Sequence, residues 1–148
     1  MPTTWSAFEH LAVVTSVNVP HSPRSVSEVR RRLRAGLSEQ GLDAGTVDDA
    51  EIVMAELLGN AVRHARSLPD GTVAVSWALR AGVVDVTVTD GGSPMIVARR
   101  TAPPMAAGGR GLQIVSALAR AWGVVDVGRG RQVWATLVPA GIWVRKAS

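Results

Sequence analysis

The sequence predicts an α/β two-layer sandwich, with a mixed, mostly antiparallel sheet covered by helices on one face. Three observations predict it. The elements read strand, helix, helix, strand, strand, loop, helix, strand, strand. Consecutive strands are joined by short turns, as in hairpins, rather than by the crossovers of a doubly wound sheet. The helical stretches carry one apolar stripe each, which suits packing on a single sheet face.

The elements follow in order. Residues 11–19 (LAVVTSVNV) are apolar and β-branched and predict a strand ending at Pro20. A helix is expected from near Ser25 to about Gln40, with Val26, Val29, Leu33 and Leu37 on its apolar face and Gly41 as its stop. Thr46 offers the cap of a second helix, with Asp49 in the capping-box position, and the pattern stays helical to about Arg66. Val47, Ala50, Met54, Leu57, Ala61 and Ala65 recur at three- and four-residue steps along it. Pro69-Asp70-Gly71 marks a turn, and strands near 72–79 and 83–89 flank Arg80-Ala81-Gly82 as a hairpin. Residues 90–109 show no clean period and read as a long functional loop. A third helix is expected from about Arg110 to Trp122, then strands near 124–128 and 132–138, and a tail carrying Trp143. No repeat or second domain is visible, so residues 1–148 read as one domain.

Composition narrows the function classes. A hydrophobic fraction of 47% in 148 residues supports a sizeable core. With no cysteine, disulfides and thiolate metal sites are excluded. The N-terminal MPTTWSAFEH lacks the pattern of a signal peptide, and no apolar run approaches the roughly 20 residues that span a bilayer, so a soluble, cytoplasmic protein without membrane attachment is expected. The net charge is only +4 and Lys146 is the only lysine among 16 basic residues, so the high pI reflects arginine rather than a nucleic-acid partner. Arg30, Arg31, Arg32 and Arg34 read as a solvated helix face or a surface for an acidic protein partner, with direct nucleic-acid binding disfavoured. His10 and His21 lack zinc-ligand spacing, and the tryptophans read as core.

Three segments could carry chemistry. Glu56 and Asn60, four apart, stack on one helix face, with His64 continuing the row. They suit either a polar rim or an oxygen-donor site, in which the Asn carbonyl meets magnesium and the Glu positions or deprotonates a nucleophile. Asp90 closes an apolar strand and is followed by Gly91 and Gly92. That is either a simple turn or an acceptor for the exocyclic amine of adenine, since a carboxylate accepts hydrogen bonds and repels a carbonyl oxygen. Gly108-Gly109-Arg110-Gly111-Leu112 opens into a helix, as a connector or as a cradle of free N–H groups for phosphate; it matches neither a Walker loop nor GxGxxG.

In this order and spacing the three segments resemble the GHKL ATPases, and among them the compact anti-sigma-factor serine/threonine kinases of the small actinobacterial type. Glu56-Leu57-Leu58-Gly59-Asn60-Ala61-Val62-Arg63-His64-Ala65 is similar to that family's N box, Asp90-Gly91-Gly92 to its first glycine box, and Gly109-Arg110-Gly111-Leu112-Gln113-Ile114-Val115 to its second. The likeness runs over roughly 20–138. It implies the Bergerat fold, ATP under a lid at about 93–108, and Asn60 as the magnesium ligand. It also implies Asp90 as the adenine anchor beside Gly92, and Gly109, Arg110, Gly111 and Leu112 at the phosphates. Glu56 would be the general base, with Arg110 or Arg63 available to the γ-phosphate. The implied partners are a protein antagonist that receives the phosphate and a sigma factor or other regulator, with a homodimer left open. Two positions depart from the pattern. Pro94 stands where the first glycine box has its last glycine, which stiffens the root of the lid. Gly130 is followed by Arg131 and Gln132 where many relatives have a Gly–Thr pair near the adenine. These departures also allow a second function, a partner-binding switch that binds ATP without transferring phosphate.

Overall fold

The computed structural model describes residues 12–93, 110–128 and 130–139. Strands β1 (Val13–Pro20), β2 (Thr72–Arg80), β3 (Val83–Asp90), β4 (Ala121–Val127) and β5 (Gly130–Leu137) form one sheet, accompanied by helices α1 (Pro23–Glu39), α2 (Ala44–His64) and α3 (Arg110–Leu118). The strand order is β1-β2-β3-β5-β4. Every pairing among the described residues is antiparallel, so the parallel component expected of a mixed sheet is absent there. The reason is topological: β4 runs in the same direction as β3, but β5 lies between them and bonds to both.

The sheet alternates as a one-sided layer must. Val73, Val75 and Trp77 of β2 and Val84, Val86 and Val88 of β3 are buried on the inner face. The outer face is polar: Asp85 accepts hydrogen bonds from Arg80 and from the Thr136 hydroxyl. Ala81 and Gly82 take φ 49° and 82° to make the tight β2–β3 turn, whose positive φ values match the twist of the strands. The helices cover the inner face. Leu33 and Leu37 of α1 and Met54 and Leu58 of α2 are fully buried against it, each contributing about 1.5–3 kcal/mol by leaving water.

Three helix boundaries differ from the sequence-based expectation. Helix α1 begins at Pro23 rather than near Ser25, because Ser22 caps it (its side chain accepts from the Arg24 N–H at 3.4 Å) and a proline loses no hydrogen bond in the first turn. Helix α2 is capped by Asp43, not Thr46. The Asp43 carboxylate accepts from the Thr46 N–H at 2.9 Å and from its hydroxyl at 2.8 Å, which places Thr46 inside the first turn, buried. Helix α3 ends at Leu118 rather than Trp122, since the Arg120 N–H already bonds the Thr136 carbonyl of β5 at 2.7 Å. Trp122 therefore lies in β4, where its indole N–H reaches back to the Ser116 hydroxyl at 2.8 Å.

On the outside of the helical layer, Arg34 bonds Asp48 and Glu51 of α2 at 2.8 Å each, and Arg30 bonds Glu51 at 3.2 Å. Half of the arginine cluster on α1 is thus paired with carboxylates. No helix among the described residues is long and apolar enough to cross a membrane.

Candidate functional site

The last turns of α2 carry the residues singled out by spacing. Glu56 and Asn60 are both half-buried, one turn apart, beside the fully buried Leu57, Leu58 and Ala61. Asn60 Oδ1 accepts a hydrogen bond from Arg63 Nη2 at 3.2 Å. The Arg63 guanidinium lies over Gly59, where an added Cβ would stand 2.8 Å from Nη1. Among the described residues no ion-pair partner engages Glu56.

Two backbone hydrogen bonds fasten the end of this helix to the end of β3. Arg66 N–H donates to the Gly92 carbonyl at 2.9 Å, and Gly91 N–H donates to the Arg66 carbonyl at 2.7 Å. Each of the two glycines is required for a different reason. A Cβ at Gly91 would fall 2.0 Å from the Ser67 carbonyl oxygen, and Gly92 has φ 87°, a region that disfavours side chains. The Asp-Gly-Gly sequence is therefore the local requirement for laying β3 against the α2 exit. On the far side a Cβ at Gly130 would fall 2.2 Å from the Asp90 carbonyl oxygen, so β5 also approaches this point closely.

Asp90 sits at this junction with 0% exposure. Its Oδ1 accepts from the Gly92 N–H at 2.7 Å, and its Oδ2 receives Arg131 Nη2 at 3.3 Å. Arg131 stands directly opposite Asp90 in the β3–β5 register and is itself 5% exposed. Its Nε is buried without a hydrogen-bond partner among the described residues.

A model of the histidine kinase-like ATPase domain matches residues 19–137. The chain belongs to the histidine kinase-like ATPase family. Among solved structures, the RsbU and RsbW domains of Rv1364c from Mycobacterium tuberculosis superpose with a TM-score of 0.66 at 22% identity, over 85% of this chain and 32% of that one. The chain thus spans about a third of that protein's crystallised length. The SiaB-SiaC complex from Pseudomonas aeruginosa gives a TM-score of 0.66 at 15% identity, over 91% of this chain and 95% of that one. At these identities the two structures establish a shared fold. Among curated protein sequences none matches significantly.

In this histidine kinase-like ATPase domain Asp90 and Gly92 lie at the end of β3, bonded to Arg66 just beyond α2, while Asn60 and Glu56 lie one and two turns or more back along that helix. Arg110 and Gly111 open α3, and Leu112 is half-buried in its first turn. Gly109, Pro94, Trp143 and the loop expected to form a lid at about 93–108 (Ser93 apart) lie outside the described residues. Two residues of the junction carried no role in the sequence reading. His21 places Nε2 3.1 and 2.9 Å from the carbonyl oxygens of Ala61 and Ala65, so a proton on Nε2 caps the C-terminus of α2. Arg131 was visible only as a departure from the family pattern; its strand alternation, with Val133, Ala135 and Leu137, is the signal that puts it on the inner face beside Asp90.

The donor set also bears on magnesium, a hard cation held by one or two protein oxygens plus substrate phosphates. Asn60 offers one carbonyl oxygen with a carboxylate one turn away, which fits that demand. No cluster of three or more acidic or histidine ligands is present among the described residues, so the chain offers no dedicated all-protein metal cage there.

Proposed function

We propose that the protein is an ATP-binding regulator of the anti-sigma-factor serine/threonine kinase type, which transfers the γ-phosphate of ATP to a hydroxyl of a protein antagonist. The reading takes residues 1–148 as a single cytoplasmic ATP-binding domain with its core at about 20–138. The observation that supports it is the junction itself: two backbone hydrogen bonds tie Arg66, just beyond the helix that carries Glu56 and Asn60, to the turn after Asp90.

Each residue then has one task. The Asp90 carboxylate accepts the adenine amine, and Gly92 lets the base approach the backbone. Asn60 supplies the carbonyl oxygen for magnesium, which offsets phosphate charge. Gly109, Arg110, Gly111 and Leu112 place the start of α3 at the phosphates, where free N–H groups and the helix dipole favour anions. Glu56 takes the proton from the incoming hydroxyl as its oxygen bonds to the γ-phosphorus. The bond from that phosphorus to the bridging oxygen breaks, and ADP leaves. Little else is required, since phosphoryl transfer depends mainly on positioning and charge. The two similar structures, an RsbW domain beside RsbU and SiaB in complex with SiaC, support a protein partner for this chain as well.

The test is incubation of the protein with magnesium, radiolabelled ATP and candidate antagonists. Label should pass to the antagonist with wild type and be lost with Glu56→Ala. An antagonist labelled equally by both proteins would remove Glu56 from the chemistry, and no labelling of any partner would remove the kinase assignment.

A second reading is favoured by one contact. Arg63 already occupies Asn60 Oδ1, the oxygen that magnesium needs. A chain in which that contact persists would bind nucleotide only to set a partner-binding surface. It predicts partner affinity that depends on ATP without phosphate transfer, and equal affinity with and without ATP would exclude it.

A further inference from the structure

Arg131 is an unusual residue for its place. It lies on the inner face of β5, in line with Val133, Ala135 and Leu137, where an apolar side chain would pack without any cost of desolvation. It is flanked in register by Asp90 on β3 and by Asp126 on β4. With Asp90 it makes a single contact of 3.3 Å rather than the two-pronged fork that a guanidinium and a carboxylate favour. Its Nε, a donor with no alternative role as acceptor, is buried and has no partner among the described residues. A pair held only for stability would satisfy that donor; this one is incompletely satisfied in the conformation seen.

The other half of the pair is equally specific. Asp90 Oδ1 is committed to the Gly92 N–H that shapes the turn, at 2.7 Å. Oδ2 is the oxygen left to meet a ligand, and Arg131 holds it. We propose that Arg131 is a built-in competitor of the adenine amino group for Asp90 Oδ2, and so sets both the affinity and the base selectivity of the nucleotide site. This rests on the reading of Asp90 as the base-anchoring carboxylate.

Two consequences follow from the chemistry. An adenine amine must displace a charge-assisted hydrogen bond before it can donate to Asp90, so ATP binds more weakly than to an unoccupied carboxylate. The discrimination at position 6 of the purine also falls. A bare carboxylate accepts from the 6-amino group and repels a 6-carbonyl oxygen. A carboxylate masked by a guanidinium with a free N–H meets that carbonyl with a donor. Inosine triphosphate, which differs from ATP in carrying the carbonyl and the accompanying N1–H, reports this directly.

The experiment is calorimetric binding of ATP and inosine triphosphate, with magnesium, to wild type, Arg131→Thr and Arg131→Met. Wild type should bind the two nucleotides within about fivefold of each other, whereas a site that reads the base through hydrogen bonds to a free acceptor discriminates much further. Arg131→Thr should bind ATP at least about tenfold more tightly, the scale of one charge-assisted hydrogen bond, and should favour ATP over inosine triphosphate by a similar factor. Arg131→Met, which fills the space without a donor, should shift in the same direction. The wild-type ratio needs no variant to fold, and a preference for ATP beyond about fivefold overturns the proposal. If wild type binds ATP and the folded variants bind it no more tightly, the proposal falls and the ATP site stands. If none of the three proteins binds either nucleotide, both fall together.

Discussion

Gly91 and Asn60 show how single residues bear on the candidate site. The Gly91→Ala methyl would sit 2.0 Å from the Ser67 carbonyl oxygen, so the strand end must move and the bonds between Arg66 and the two glycines must lengthen. We expect a loss of about 3 kcal/mol in urea unfolding, as for other backbone clashes. Gly71→Ala is the control. There φ is 85° but no atom of the described residues lies within 4 Å of the added carbon, so only the left-handed backbone penalty of about 1 kcal/mol applies. Asn60→Ala removes the carbonyl oxygen without touching the core. ATP titrations with and without magnesium should then coincide, and a persisting magnesium effect would move the metal to another residue. The Glu56–Asn60 spacing and the Asp90-Gly91-Gly92 run were legible because each is local in sequence. The Arg131–Asp90 contact spans 41 residues and depends on the register of two strands. Only the alternation of β5 hinted at it.

At the level of elements, boundaries were the least legible feature, because caps are decided by competition between neighbouring side chains. Asp43 and Thr46 could each have capped α2, and the structure gives the carboxylate the outer position. There the Thr46 N–H, and then its hydroxyl, hold the Asp43 carboxyl below the usual carboxylate range. The Thr72 hydroxyl, followed by the Thr72 N–H, does the same for Asp70 in the turn before β2. The sign of the pH effect follows. A carboxyl lowered by folding contributes stability above its unfolded value of about 3.9, and that contribution is lost as pH falls through the lower folded value. Asp43→Asn keeps a capping side chain but removes the titration. Its melting temperature should therefore decline less than that of wild type between about pH 5 and pH 3. Parallel declines would show that the cap does not contribute to acid lability. The apolar stripes were readable in the main: Val47, Ala50, Met54, Leu57 and Ala61 are buried as their spacing requires, whereas Val26 is half-buried and Ala65, also half-buried, lies just past the end of α2 as its cap.

For the whole molecule, sequence order gave the two layers but not the insertion of β5 between β3 and β4, which hairpins alone do not specify. That insertion brings the start of β5 to the end of β3, while the Arg66–Gly91–Gly92 bonds bring the exit of α2 to the same point. A nucleotide bound there contacts both layers at once, so its binding should stabilise the fold as a unit instead of tightening one loop. At a ligand concentration of about 100 times Kd the linkage amounts to about 2.7 kcal/mol, which for a domain of this size raises Tm by roughly 5–10 °C. The variants should divide by role. Glu56→Ala should keep the full shift, because a general base acts on the incoming hydroxyl rather than on the bound nucleotide. Asp90→Asn should lose most of it, and Asn60→Ala only the part that magnesium adds. Thermal melts with ATP alone and with ATP plus magnesium read all three. A shift abolished by Glu56→Ala would make that carboxylate part of the binding site and leave the transfer step without its base.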